Sequence, residues 1–478
     1  MVFFNCSFPQ DEYRGVRMLK RKIERKLDYW FNNREQALLV TGARQIGKSY
    51  SIEHFIDDKF EYVIKIDFSK RTDLIDIFAL LDNSDDLLMR LSLIAGNKMV
   101  PNKTVIFLDE IQKVYQRRDE LKEKGELSFL SQDIITAMKT VVQQGEYRFI
   151  LSGSLLGVMV KDVILNPTGY LDEYKMYPLD FEEFLWAKGV GQVAIDHVKK
   201  CFQEKKQVDS GVHNMFLKFF REYVLIGGMP EAVKTFIDTK NYYRVQEAHN
   251  QIVNFYKTDI TTYVKDGSLK LRIRDVYNAI PGQLSSKNMR YISSQVLDKK
   301  YLKHNSIEDE FLWLKAAGVA IPTYHVNEPV MPLTLSVERK TMKLFTNDVG
   351  LLISQLVDTG IREKLLNNEK EINYGAPYEN VAAQELVAHG FDEELYYYNS
   401  KKHGEVDFLV MLDNEVLPIE IKSGKSKESQ LYDHAALNNL IKNYHYPIAY
   451  VFGETNVIKE SDIVYQLPVY MVDFIRKN

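Results

Sequence analysis

Residues 42–49 read Gly42-Ala43-Arg44-Gln45-Ile46-Gly47-Lys48-Ser49, between an apolar run at 37–41 and a helical pattern at 49–55. This is G-x-x-x-x-G-K-[ST] in its working context, a strand that turns sharply into a helix. Gly42 and Gly47 permit the turn, so that consecutive backbone N–H groups converge on phosphate oxygens. The start of the helix adds a dipole that favours an anion. The candidate phosphate-binding set is therefore the eight loop residues and the adjoining Tyr50. Lys48 is expected to reach the β- and γ-phosphates and the Ser49 hydroxyl to ligate Mg²⁺.

Such a loop needs a parallel sheet around it. Short apolar strands are expected at 37–41, 62–67, 104–109 and 147–152, with helical segments between them, and this alternation predicts helices on both faces of the sheet. Val105-Ile106-Phe107-Leu108 has no polar member, which suits a central buried strand. It delivers Asp109 and Glu110 to the C-terminal edge, where ligands bind in open α/β sheets. Asp109 can hold Mg²⁺ through water, and Glu110 can orient or deprotonate an attacking water. Phe149-Ile150-Leu151 leads into Ser152-Gly153-Ser154. Ser154 first, then Ser152, are candidates to sense the γ-phosphate or position the water; a plain strand-to-loop turn is the other reading.

At 478 residues the chain is too long for one ordinary core, and roughly two to four domains are expected. A net charge of −4 gives no global positive field, so any nucleic-acid surface must be local. Cys6 and Cys201 offer no metal spacing and no disulfide framework, which points to a reducing cytoplasm. The first ten residues lack the form of a signal peptide, and no apolar run is long enough for a membrane span. Residues 14–30 carry Val16, Leu19, Ile23, Leu27 and Trp30 at helical spacing between Arg and Lys. They are expected to form a basic amphipathic helix, packed on the next domain or touching nucleic acid or membrane.

The remaining pattern divides into four units: an ATPase-type sheet domain with the N-terminal helix at 1–178, a helical lid at 179–265, a winged-helix-like module at 266–345, and a further α/β domain at 346–478. Phe181, Phe184, Leu185, Phe216, Phe219 and Phe220 are the expected lid core. The stretches near 322–326 and 341–345 are expected to be the wing.

The last unit holds a second candidate site. Asp407 and Glu420-Ile421-Lys422 have the D…E-x-K form of metal-dependent nucleases. If Asp413-Asn414 is a two-residue turn, Phe408 pairs with Ile419 and Asp407 falls opposite Glu420, with Lys422 on the same face. Facing carboxylates repel unless a cation lies between them, and Lys422 could orient a nucleophilic water. Pro418 warns of a bulge. An active nuclease, a nuclease fold kept for binding, and an unrelated surface charge ladder all remain open.

The phosphate loop resembles, together with Phe107-Leu108-Asp109-Glu110, Leu151-Ser152-Gly153-Ser154, Tyr177-Pro178-Leu179-Asp180-Phe181 and Gly227-Gly228-Met229-Pro230-Glu231, a family of prokaryotic AAA+ ATPases. That family joins an AAA-type nucleotide domain to a C-terminal region called domain of unknown function 4143. Later signatures fall in the family's order: 314–318, Asp348-Val349-Gly350-Leu351-Leu352, Tyr378-Glu379-Asn380 and Glu420-Ile421-Lys422-Ser423-Gly424. The resemblance implies ATP and Mg²⁺ at the loop, a helical lid, a winged-helix-like module, and assembly as a ring or dimer. The C-terminal region resembles PD-(D/E)xK nucleases, which implies Glu379 as a further metal ligand beside Asp407 and Glu420. DNA or RNA is then the expected second partner, with a nucleotide-gated protein-interaction switch as the alternative. One departure stands out: where many members offer a Gly-Arg pair, a candidate arginine finger, this chain reads Thr168-Gly169-Tyr170. Arg148, Arg221 or a neighbouring subunit would have to supply the cation.

Overall fold

The computed structural model describes residues 12–13, 16–17, 19–128, 130–154, 169–286, 308–357, 375–423 and 434–477. Thr168, Gly424, residues 287–307 of the expected winged module and the start of the helix expected at 430–443 lie outside them.

The N-terminus departs from the expected long helix. Strands β1 (Glu12–Tyr13) and β2 (Val16–Arg17) pair antiparallel, and helix α1 (Ile23–Asn33) begins only afterwards. The Glu24 carboxylate accepts the Arg21 N–H at 2.9 Å, closing the helix start there. The apolar stripe still packs as expected, with Ile23, Leu27 and Trp30 buried. Its basic residues divide: Arg25 and Lys26 on the helix are exposed, as expected, whereas just before it Arg21 is buried and Lys22 is bound to Asp180 and Glu182.

The sheet domain runs β3 (Ala37–Thr41), α2 (Lys48–Lys59), β4 (Tyr62–Asp67), α3 (Ile75–Ala79), α4 (Ser84–Ala95), β5 (Thr104–Asp109), α5 (Gln112–Glu123), α6 (Ile134–Gln144), β6 (Arg148–Ser152) and β7 (Leu171–Lys175). The five strands lie in the order β4-β5-β6-β3-β7, all parallel. Every residue of β5 is buried, as its apolar run requires. The strand order places β6 between β5 and β3, so Ser152 stands between Asp109 and the phosphate loop.

Helices follow as expected: α7 (Phe181–Ala187), α8 (Gln192–Glu204), α9 (Ser210–Ile226), α10 (Pro230–Thr239), α11 (Tyr242–Tyr263) and α12 (Gly267–Leu284). Their ends are written in the sequence. Asp180 and Glu183 form a capping box on α7, and Pro230 occupies the first turn of α10. All the expected core phenylalanines are buried except Phe219, which packs at the margin.

The C-terminal part contains α13 (Glu308–Ala316), β8 (Ala320–Val326), β9 (Val337–Thr346), α14 (Val349–Leu356), α15 (Gly375–Leu386), β10 (Tyr396–Ser400), β11 (Gly404–Leu412), β12 (Glu415–Ile421), α16 (Ala435–Tyr444), β13 (Ala449–Gly453), β14 (Ile458–Lys459) and β15 (Val464–Pro468). All eight strands form one mixed sheet in the order β14-β15-β13-β12-β11-β10-β8-β9. The stretches expected to be a wing are β8 and β9, its edge, because β8 pairs parallel with β10. The boundary expected at 345/346 therefore falls inside a sheet. The packing crosses the other expected boundaries too. Leu38 and Val40 of β3, Phe184 and Phe220 of the lid, and Phe345, Tyr378 and Phe408 of the C-terminal part belong to one continuous apolar core.

Two motifs separated by 120 residues meet at Gly228, whose N–H donates to Asp348. The Leu179 N–H donates to the Gly228 carbonyl at 2.7 Å, and a Cβ on Gly228 would lie 2.0 Å from the Leu179 carbonyl oxygen. Gly228→Ala should therefore cost about 2–3 kcal/mol through overpacking, read as a lowered urea midpoint. An unchanged midpoint would mean that this contact does not fix the lid.

Candidate functional site

The phosphate loop is gripped from every side. Gly42 has a φ of 134°, and a Cβ there would stand 2.2 Å from the Met176 carbonyl oxygen after β7. Arg21 donates to the Ile46 carbonyl at 2.8 Å and the Tyr177 carbonyl at 2.7 Å. From the lid, Asp259 of α11 binds Arg44 at 2.6 Å, and the Tyr256 hydroxyl donates to the Arg44 carbonyl at 3.3 Å. From the C-terminal part, Gly318 comes so near that its Cβ would lie 3.1 Å from the Ala43 nitrogen. Gln45 is held at a φ of 67°, the kind of strained backbone that persists where its surroundings over-determine it.

Lys48 is buried, and its ammonium donates to the Gly42 and Ala43 carbonyls at 3.0 and 2.7 Å. Burial pushes its pKa down to about 8, although Glu110 and Asp109 pull it upward. Ser49 follows on the first turn of α2, and Tyr50 is exposed on the outside.

Across the sheet edge two hydrogen-bonded pairs line up. The Ser152 hydroxyl donates to Asp109, which is buried and also accepts the Glu110 N–H at 3.0 Å. The Gln112 amide donates to Glu110 and to the Ser154 hydroxyl at 3.2 Å, and Ser154 lies 3.4 Å from Glu110. Glu110 has a φ of 57°, which turns its carboxylate off the end of β5. Ser152 and Ser154 are thus hydrogen-bonded into the acidic pair and its neighbour Gln112. Gln112 was not among the expected residues; its only signal in sequence is an amide opening a helix just after two carboxylates.

Neither substitute for the missing arginine is free. Arg148 lies at the opposite end of β6 from the loop, stacked 4.2 Å from the Trp30 ring. Arg221 makes a two-pronged pair with Glu454. Tyr170 is buried, with Lys139 over its ring.

The C-terminal hairpin forms as expected. Asp413 and Asn414 have φ of 50° and 64°, the signs a type I′ turn demands, and Phe408 pairs with Ile419. Pro418 sits in register opposite Leu409, without a bulge. The site is different from expectation. Asp407 accepts the Ile421 N–H at 2.8 Å, and Lys422 pairs with Glu420 at 2.5 Å, so Lys422 does not face Asp407 as a free cation. Lys422 adds a smaller positive charge acting on Asp407, and the larger one comes from Lys343 of β9. Its ammonium lies 2.6 Å from Glu405, 3.3 Å from Glu379 and 3.9 Å from Asp407, fully buried and over the Tyr397 ring. Burial alone would lower its pKa, but Glu379, Glu405 and Asp407 outweigh that and hold it above the ordinary range. Burial pushes Glu379 up to about 8, with Lys343 opposing and Asp407 and Glu405 adding to the rise. A lysine ammonium therefore lies beside Glu379 and Asp407, two of the three residues expected to hold a divalent cation.

Residues 34–185 match the AAA domain family, residues 217–371 a domain of unknown function (DUF8612), and residues 374–471 a domain of unknown function (DUF4143). The chain thus carries an AAA domain, of the ATP-binding ATPase type, at 34–185 and a DUF4143 region at 374–471. No curated protein matches it. Among solved structures it is similar to the Walker-type ATPase PABY2304 of Pyrococcus abyssi. Identity is 15%, coverage 71% of this chain and 96% of that one, and the TM-score 0.39. Among the described residues no helix is long and apolar enough to cross a membrane.

The low pKa of Lys48 gives nucleotide binding a pH dependence. A triphosphate stabilises the ammonium, so binding takes up a proton at and above pH 8. Affinity should fall about tenfold from pH 7 to pH 9, with calorimetric heats at pH 8 that depend on the buffer's ionisation enthalpy. A flat profile would place Lys48 at an ordinary lysine pKa.

Proposed function

We propose that this chain is an ATP-hydrolysing switch whose nucleotide state is passed to a C-terminal binding platform that does not cleave nucleic acid. Lys48 and the N–H groups of the loop bind the β- and γ-phosphates. Ser49 and Asp109 supply the hydroxyl and carboxylate oxygens that suit Mg²⁺, which would screen phosphate charge there. Glu110, braced by Gln112 and Ser154, positions and deprotonates the attacking water. With Tyr170 where relatives offer arginine, basal hydrolysis is slow, and a cation from a second copy or a partner accelerates it.

The observation that carries the hydrolytic reading is the braced pair Asp109–Ser152 and Glu110–Gln112 at the edge of β5 and β6. Lys48→Ala should abolish turnover. Glu110→Gln should keep nucleotide affinity within about twofold and lower turnover at least about a hundredfold. Turnover unchanged in Lys48→Ala would end the proposal.

Lys343 carries the platform reading. Its buried ammonium gives Glu379, Glu405 and Asp407 their counter-charge, so a metal would have to displace it. Incubation with single-stranded, double-stranded or branched DNA or RNA and Mg²⁺ or Mn²⁺ should give no cleavage. Cleavage that disappears in Asp407→Asn would restore the ATP-gated nuclease. Lys343→Met strands three acids and should cost about 3–5 kcal/mol, seen in chemical denaturation; an unaltered stability would mean the lysine is dispensable there.

A further inference from the structure

Asp180, Glu385, His389 and Asp473 converge where the lid meets the C-terminal part, and one donor atom from each lies within 4.8 Å of the others. Asp180 caps α7, Glu385 lies in α15, His389 follows it, and Asp473 belongs to the closing turn Val469–Phe474. All four are more than nine-tenths buried.

The charge around them does not balance. Glu182 and Glu183 add two carboxylates to those of Asp180, Glu385 and Asp473, against the cations of Arg21, Lys22 and Arg476. With His389 neutral and every carboxylate ionised, two negative charges remain in a buried space.

An independent sign is that polar atoms of the cluster lack partners. Among the described residues, Glu385 Oε2 and Asp473 Oδ1 are buried and find no hydrogen-bond partner. Asp473 Oδ1 faces His389 Nε2 at 3.7 Å, too far to bond, while Asp180 Oδ2 lies 3.1 Å from the same nitrogen. The other Glu385 oxygen is fixed by the Tyr223 hydroxyl at 2.9 Å and the Phe181 N–H at 3.1 Å. Native interiors seldom leave such atoms unpaired.

We propose that Asp180, Glu385, His389 and Asp473 form a divalent metal site that clamps the lid to the C-terminal part. One imidazole and three carboxylates suit Zn²⁺, with Mn²⁺ as the harder alternative. Two positive charges cancel the deficit. His389 offers Nε2, and Asp180, Glu385 and Asp473 each offer a carboxylate oxygen. Lys22 keeps Glu182 at 2.8 Å when Asp180 Oδ2 turns to the metal. Asp180 Oδ1 continues to accept the Glu183 N–H at 2.9 Å, so the cap on α7 is undisturbed.

The test uses the full chain without nucleotide, dialysed against buffered nanomolar Zn²⁺ and measured by plasma mass spectrometry, with thermal melts in Zn²⁺, Mn²⁺ and Mg²⁺. About one Zn²⁺ per chain is expected, with a melting temperature raised by Zn²⁺ or Mn²⁺. Glu385→Gln and His389→Ala should lower Zn²⁺ affinity at least about tenfold and lose the thermal response, whereas Asp109→Asn should change neither. Glu385→Gln preserves shape, so it reads the site even if His389→Ala fails to fold. No bound metal and no thermal shift, or Zn²⁺ retained at parent affinity by folded Glu385→Gln and His389→Ala, would overturn the assignment.

Discussion

The phosphate loop is the point on which the other parts close. A loop of this kind must hold several backbone N–H groups in one direction, and glycine alone supplies only the freedom to do so. Rigidity comes from outside: Met176 behind Gly42, Arg21 on the Ile46 carbonyl, Asp259 on Arg44 and Gly318 against Ala43. These belong to the first sheet, the N-terminal segment, the lid and the C-terminal part. All four therefore take part in holding the loop in place.

A hydrogen-bonded route leads away from it. Tyr256 donates to the Arg44 carbonyl and receives the Asn347 amide at 3.1 Å, and the Asn347 N–H reaches the Val319 carbonyl at 3.3 Å. Next in the chain, the Thr346 N–H donates to Asn380 at 2.9 Å, on the helix that also carries Glu379. Connection alone is not coupling. Yet the shared apolar core leaves little room for the lid to move while the C-terminal sheet stays still.

Local chemistry was legible in the sequence, and distant chemistry was not. The strand-turn-helix of the loop, the buried β5 and the Phe408–Ile419 register all follow from residues within about twenty positions of one another, where period and turn type decide. Lys343 could not be assigned that way. It lies in a segment whose apolar pattern suits a wing as well as a sheet edge, and only the pairing of β8 with β10 carries β9 toward the acids. Arg44 and Asp259, 215 residues apart, meet only through tertiary packing. The start of α1 was missed for the same reason, since Arg21 and Lys22 are drawn to carboxylates of the lid that helical periodicity does not register.

A switch of this kind requires the loop to be mechanically joined to the C-terminal sheet. Hydrogen exchange followed by mass spectrometry on the Glu110→Gln variant, with and without ATP and Mg²⁺, tests this most directly. Protection should rise at 42–49 and also at 256–263, 318–326 and 342–351. Protection confined to 42–49 and 109–112 would contradict it and leave the C-terminal part a passenger of the ATPase.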